Sequence, residues 1–343
     1  MSARTMRALR VFSAVVLGLA VLALVFPGLA GAVGGNPQTT LEPKSAVATM
    51  IDGLLDNIVI WCVVIFVIVE GALIVTVFRF RRRPGGPAPR PIHGNTTLEI
   101  AWTIIPAIIL AFIAVPTVQT IFKVAAVPKD ALQVRVVGHQ WWWEFNYPTL
   151  GITTANELHV PAGRNIALEL ESMDVIHSFW IPAFAGKRDV IPGRKNHMWF
   201  ATGAEGTFPG QCAEYCGTSH ANMMFKVVSQ PQAEFDAWTA QQKAPVPVPD
   251  STTLAARGLA IYRTGLCVAC HQIDGVSFGV VGPSLNKVAT RTTIASGIYP
   301  NDPEHLKAWI KNAPAKKPGS LMPNMNLSDA DVEALVAFLE TRR

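Results

Sequence analysis

Cys212-Ala-Glu-Tyr-Cys216-Gly-Thr-Ser-His220-Ala-Asn-Met223 brings two thiols, an imidazole and a thioether into twelve consecutive residues. Three chemistries suit such a set. A disulfide between Cys212 and Cys216 fits an oxidising compartment and leaves His220 and Met223 as ordinary packing residues. Zinc would use the thiols and the imidazole, but a thioether is a poor zinc ligand and a good copper ligand, so the set favours copper. A single blue-copper centre uses two His, one Cys and a weak axial Met, which leaves the second cysteine without a role. Two thiolates can instead bridge two coppers, each of which then wants its own imidazole. Only His220 lies in the loop, so another must come from elsewhere. His93 sits in the Arg-rich turn between two apolar segments, and His271 and His305 belong to a later domain; His139, His159, His177 and His197 remain. His177 follows a strand and a turn in Ser172-Met-Asp174-Val-Ile-His177-Ser-Phe-Trp180, a place where a loop can present a ligand.

A second redox motif is Cys267-Val-Ala-Cys270-His271. Two thiols and an adjacent imidazole at this spacing attach a c-type haem covalently, with the His on the iron. A thioredoxin-like pair would need a βαβ context, and no such strand pattern surrounds the motif. A Met as the sixth ligand would raise the potential into the range of an electron carrier. Met322 and Met325 are the candidates; Met322 precedes Pro323 as the ligand does in class I cytochromes c, which this segment resembles, and that resemblance favours it. Cys62 is the remaining cysteine and lies in an apolar segment as a small apolar residue.

The elements that must position these groups follow from composition. The chain of 343 residues is 50% hydrophobic and only 15% charged, too apolar for disorder and unlike a soluble single domain. Residues 1 to 32, with Arg4, Arg7 and Arg10 before an apolar run that ends in small residues, read as a cleaved signal peptide. Leu54 to Phe80 and Thr97 to Phe122 each exceed the roughly 20 residues that span a bilayer as helix, so residues 45 to 125 form a transmembrane hairpin. The whole net charge of +5 lies within residues 1 to 125, and Arg79, Arg81, Arg82, Arg83 and Arg90 cluster in the turn of the hairpin. That places the turn in the cytoplasm and everything after residue 125 outside it. Nucleic-acid binding is excluded, because residues 126 to 343 carry no net charge to neutralise phosphates. Glu70 and Glu99 fall in or beside the helices, where a carboxylate must face protein or water; Glu99, at the cytoplasmic end, is the better mouth for a proton route.

From Leu132 short β-rich runs broken by Pro-Gly pairs indicate an antiparallel sandwich or barrel over residues 126 to 235. Residues 236 to 250, rich in Gln, Ala and Pro, read as a stiff spacer. Residues 251 to 343 are helical, with Ser328-Asp-Ala-Asp331 opening a helix that places Val332, Leu335, Val336 and Leu339 on one face. Formal charge is −3 over residues 126 to 250 and +3 over residues 251 to 343, so the two domains can dock by complementary fields.

The pattern C-x-E-x-C-G-x-x-H-x-x-M with an upstream S-x-D-V-x-H-S resembles the dinuclear copper (CuA) centre of the cytochrome c oxidase subunit II family. The resemblance also covers the hairpin, including Thr97-Leu-Glu99-Ile-Ala-Trp102-Thr-Ile-Ile-Pro106, and the aromatic run after Gly138-His-Gln. It implies His177, Cys212, Cys216, His220, Met223 and the main-chain carbonyl of Glu214 as copper ligands on a cupredoxin-like sandwich. It also implies a magnesium ion held in part by the Glu214 carboxylate at the interface with subunit I. Trp141, in Trp141-Trp142-Trp143, can be read as part of a buried strand; by resemblance it is the exposed tryptophan through which electrons reach the copper. Residues 251 to 343 resemble a class I cytochrome c, with Gly282-Pro283-Ser-Leu285 as the segment whose proline carbonyl braces His271. A subunit II with a fused cytochrome resembles the bacterial caa-type oxidases. That implies a multidomain protein of the bacterial inner membrane: transmembrane α-helical hairpin, then all-β sandwich, then all-α cytochrome c domain facing the extracytoplasmic side. Its partners would be subunit I, with haem a groups and copper, subunit III, and an upstream donor such as a cytochrome bc complex, in a proton-translocating oxidase. Oxygen reduction belongs to subunit I, since neither apolar helix contains a His. A tethered electron carrier for another reductase and a copper-delivery protein are the rival readings.

Overall fold

A computed structural model describes residues 39 to 343 apart from 83, 87 to 90 and 92. The expected signal segment, with Arg83 and Arg90, lies outside the described residues. Helices α1 (Ala46–Phe80) and α2 (Thr96–Ala125) form the hairpin. Each starts at a side-chain cap: Ser45 Oγ accepts the Ala48 amide at 3.0 Å and Asn95 Oδ1 accepts the Leu98 amide at 3.2 Å, satisfying donors that helix geometry orphans. Beyond the first turn of α1 neither helix buries a residue within the chain. Helices apolar on all sides need lipid or another apolar partner around them.

Helix α1 begins eight residues before the expected Leu54 because its foot belongs to the next domain. Val47 is fully buried in the sandwich core, the Lys44 amide donates to Ala183 O at 2.8 Å, and Trp199 Nε1 donates to Val124 O at 2.9 Å near the end of α2. Both ends of the hairpin are thereby clamped to the sandwich.

The sandwich has ten strands: β1 (Leu132–His139), β2 (Trp142–Tyr147), β3 (Ile152–Ala155), β4 (Glu157–Pro161), β5 (Asn165–Ser172), β6 (His177–Trp180), β7 (Arg188–Val190), β8 (Asn196–Ala201), β9 (Gly206–Cys212) and β10 (Met224–Gln230). One sheet runs β3-β2-β1-β5-β8 and the other β4-β10-β9-β6-β7. Pairings are antiparallel except β1 with β5 and β4 with β10, so each sheet is mixed where an antiparallel pattern was expected. The chain crosses to the opposite sheet between β1 and β5, which lets it return in the same direction. On β2 the period of two buries Trp143, Phe145 and Tyr147 and turns the residues between them outward. Trp143 meets Phe179 of β6 edge-on at 5.1 Å and Phe225 of β10 at 5.8 Å, joining the inner faces of the two sheets.

The spacer is shorter than the sequence suggests. Residues 236 to 243 belong to α3 (Gln232–Lys243), whose Phe235 and Trp238 are buried against the sandwich, with the Trp238 ring stacked on His159 at 4.5 Å. Gln and Ala are good helix formers, and two aromatics three residues apart make one apolar face. Only residues 245 to 250 connect the domains without helix or turn.

The last domain contains α4 (Leu254–Thr264), α5 (Cys267–Cys270), α6 (Pro303–Lys311), α7 (Ala313–Lys316) and α8 (Asp329–Glu340) around a core separate from that of the sandwich. Helix α8 buries Val332, Leu335, Val336 and Leu339 on the expected face. It crosses α4 so closely that a Cβ on Gly258 would lie 1.9 Å from Ala334 O and 2.8 Å from Phe338 Cβ. Gly258→Ala should therefore force the helices apart and destabilise this domain by about 3 kcal/mol, read as a lower denaturant midpoint. An unchanged midpoint would refute the contact.

Candidate metal centres

Strand pairing brings the sequence-distant donors together. Phe179 pairs with Cys212 across β6 and β9, which sets His177, the first residue of β6, beside the end of β9. The loop then folds back on itself: the Cys212 amide donates to Met223 O at 3.0 Å, and Met223 donates to His220 O at 3.1 Å. Cys212 Sγ lies 3.9 Å from His177 Nδ1, and Cys216 Sγ lies 3.6 Å from His220 Nδ1. The two sulfurs are 3.8 Å apart and unbridged. Met223 Sδ is 3.8 Å from Cys216 Sγ, and Glu214 O is 3.2 Å from Cys212 Sγ. Each thiol thus faces its own imidazole, with a thioether on one side and a carbonyl on the other. His177, Cys212, Cys216 and Met223 are buried and His220 is half-buried, and the soft donors fit copper.

The other histidines are occupied elsewhere. His139 stacks on Trp142 at 4.1 Å, His159 on Trp238, and His197 is exposed on β8 opposite Glu169. Asp174, three residues before His177, holds its ring: Asp174 Oδ1 lies 2.8 Å from His177 Nε2, and the Val175 and Gln140 amides also donate to the carboxylate. Burial would raise the Asp174 carboxyl, but these bonds outweigh it and hold it below the usual range. Burial would likewise lower His177; the bonds from Asp174 and Cys212 reverse that and raise it. The contact with Cys216 is the largest influence on Cys212 and lowers its thiol, while the same contact raises Cys216.

In the last domain Cys267 and Cys270 span the single turn of α5, and His271 follows. His271 Nδ1 lies 2.8 Å from Pro283 O, an acceptor only, so Nδ1 carries the proton and Nε2 is left to ligate. Burial lowers His271 and keeps it neutral. Gly282 is required beside it, since a Cβ there would sit 2.6 Å from His271 Cε1. Leu266, Phe278, Val280, Val281 and Leu321 stand exposed on the flanking segments, an apolar lining that suits a porphyrin. Met322 and Met325 are both half-buried on the strand-free segment after Gly319.

Trp141 departs from expectation. It is 8% exposed rather than open, because the chain's own last domain covers it: a Cβ on Gly319 would lie 2.7 Å from its ring. Its Nε1 donates to Cys216 O at 3.0 Å. Glu99 occupies the exposed first turn of α2, and Glu70 is half-buried along α1. Sequence reading missed the groups that hold the domains together, Glu157, Lys317 and Ser219. Nothing in a lone Glu, Lys or Ser signals burial against a partner 99 or more residues away.

An apolar hairpin bearing a sandwich with paired thiol and imidazole donors, followed by a helical domain with a Cys-x-x-Cys-His motif, defines a membrane-anchored electron-transfer subunit. Residues 38–120 match the family model for the transmembrane domain of cytochrome c oxidase subunit II, residues 151–230 that for its periplasmic domain, and residues 255–343 that for cytochrome c. Cytochrome c oxidase subunit 2 of Alkalihalophilus pseudofirmus is 38% identical over 322 residues, covering 91% of this chain and 93% of the relative. That of Bacillus subtilis is 33% identical over 345 residues, covering 93% and 95%. A solved periplasmic domain of cytochrome oxidase subunit II from Bradyrhizobium japonicum is 35% identical, covers 34% of this chain and 97% of its own, and superposes with a TM-score of 0.34. The chain belongs to the cytochrome c oxidase subunit 2 family, in the form that carries a C-terminal cytochrome c domain.

Proposed function

We propose that this chain is subunit II of a caa-type oxidase and relays electrons from its own cytochrome domain through a dinuclear copper centre to subunit I. The pairing of each cysteine with its own imidazole across a 3.8 Å sulfur–sulfur separation carries this reading. His177, Cys212, the Glu214 carbonyl, Cys216, His220 and Met223 would together hold the copper pair. Cys267 and Cys270 would hold haem c as thioethers, with His271 and Met322 on the iron. When bound, these groups would supply one-electron redox chemistry.

The polypeptide positions and insulates. Trp141 touches Gly319, three residues before Met322, and hydrogen-bonds the carbonyl of Cys216, so it lies between the two sites. The Glu214 side chain is exposed beside an open cleft of about 550 Å³ lined by Ile51, Trp180, Lys187, Gln211 and His220 between the foot of α1 and the copper loop. That cleft is where subunit I would pack and where the carboxylate would share a magnesium ion. Glu99 would mark the cytoplasmic mouth of a proton route in the assembled enzyme. Subunit III, an upstream cytochrome bc complex and an extracytoplasmic face on the bacterial inner membrane complete the reading. Metal analysis and electron paramagnetic resonance of the detergent-purified chain test it: two coppers per haem sharing one unpaired electron are expected, and one localised copper, or zinc, would overturn it.

Asp174→Asn removes the charge that orients His177 while preserving shape. Copper affinity should fall by about 10- to 100-fold in a chelator-competition titration. Unchanged affinity would show that the carboxylate does not act on the ligand.

A further inference from the structure

Residues 126 to 243 and the cytochrome domain meet over a built interface, and its polar groups are of an unusual kind. Glu157 of β4 is 1% exposed, and its Oε1 accepts from the Thr292 amide and hydroxyl at 2.8 and 2.6 Å and from the Thr293 amide and hydroxyl at 3.0 and 3.2 Å. Lys317 is 4% exposed and donates from Nζ to Trp141 O at 2.6 Å and to Ser296 Oγ at 2.8 Å; Ser296 in turn donates to Trp141 O at 2.7 Å. Ser219, beside His220 and fully buried, donates to Pro318 O at 2.5 Å. None of the ion pairs among the described residues crosses this interface. Glu157 is bonded mainly by Thr292 and Thr293 of the opposite domain, with His159 of its own domain 3.9 Å away, and Lys317 reaches Trp141 O across the interface as well as Ser296 Oγ and Ala295 O of its own domain.

A transient encounter would not be built this way. A buried charge is strongly unfavourable unless its hydrogen bonds are complete, and here they are complete only when the domains are closed in one register. The spacer alone would supply proximity without orientation. We propose that Glu157 and Lys317 are positioning residues that lock the cytochrome domain over Trp141, reserving that face for the chain's own domain and barring a separate soluble electron donor from it. Such a donor must then deliver to the cytochrome domain. The inference rests on the electron-relay reading for its purpose, though not for its geometry.

Hydrogen exchange followed by mass spectrometry on the haem- and copper-loaded chain in detergent tests the lock directly, because the Thr292 and Thr293 amides have Glu157 as their acceptor. Slow exchange over residues 290 to 297 is expected in the wild type. It should quicken by about 10- to 100-fold in Glu157→Ala and return towards wild type in Glu157→Gln, which keeps an acceptor. Lys317→Met should loosen residues 139 to 142 independently. Unchanged haem content and unchanged protection of α8 would show that the cytochrome domain is still folded. Mitochondrial cytochrome c, added as a soluble donor, should protect residues 139 to 142 in the Glu157→Ala, Lys317→Met double variant and leave them unaltered in the wild type. Unprotected amides at 292 and 293 in the wild type, or equal protection by added cytochrome in both proteins, would overturn the proposal. Optical reduction of copper through haem in the same samples tests the relay separately: copper that stays oxidised while the exchange pattern holds would refute the relay and leave the lock standing.

Discussion

Cys216→Ser is expected to abolish the shared-electron copper signature and to leave at most one copper per haem. Cys216 Sγ is the sulfur within 3.8 Å of Cys212 Sγ, His220 Nδ1 and Met223 Sδ together, so its loss withdraws a donor from both proposed coppers. A serine hydroxyl is a hard donor that stays protonated near neutral pH and cannot replace a bridging thiolate. Copper affinity should fall by more than the roughly 100-fold typical of an outer-shell change. Met223→Leu is the matched control, because it keeps the volume of a fully buried side chain and both thiols. It should retain two coppers with an altered spectrum. A Cys216→Ser protein with two coppers and one delocalised electron would remove the basis of the dinuclear assignment.

Replacing Cys267 and Cys270 together by serine should release the haem on acidic organic extraction and lower the thermal midpoint of the cytochrome domain by at least about 10 °C. The domain spans 93 residues, and its buried cluster draws mostly on α4, α6 and α8. A ligand bound only by the folded state stabilises it by mass action, and losing a tightly held haem removes about 3 kcal/mol or more. The sandwich has its own core, so copper binding should persist in the same protein. Retained haem after extraction, or an unshifted midpoint, would refute the covalent attachment and its structural role.

The charge separation between the two domains suggests docking by complementary fields, whereas the buried contact itself sets Glu157 against Thr292 and Thr293 and Lys317 against Trp141 O. Formal charge counted along a chain measures a long-range field; it does not report which charges lie at a contact. The internal electron-transfer rate of the closed unit should accordingly change less than about two-fold between low and high salt, since buried groups are poorly screened. A steep salt dependence in stopped-flow measurements would point back to an encounter steered by surface charge.

Local chemistry was legible in the chain because its signals are local. The Cys212-to-Met223 loop, the Cys267–His271 motif, two helices long and apolar enough to span a bilayer, and the alternation of β2 each state their role within a few residues. The resemblance then supplied His177, which spacing alone left as one of four. Tertiary structure decided what depends on distant segments meeting. Pairing of β6 with β9 sets His177 against Cys212; Phe235 and Trp238 turn half of an apparent spacer into a helix on the sandwich; and Val47 draws the foot of α1 out of the membrane span into a core. The burial of Trp141, Glu157 and Lys317 was decided in the same way. A side chain's exposure is a property of what packs over it, and here the covering surface arrives from the far end of the chain, beyond the reach of any sequence window.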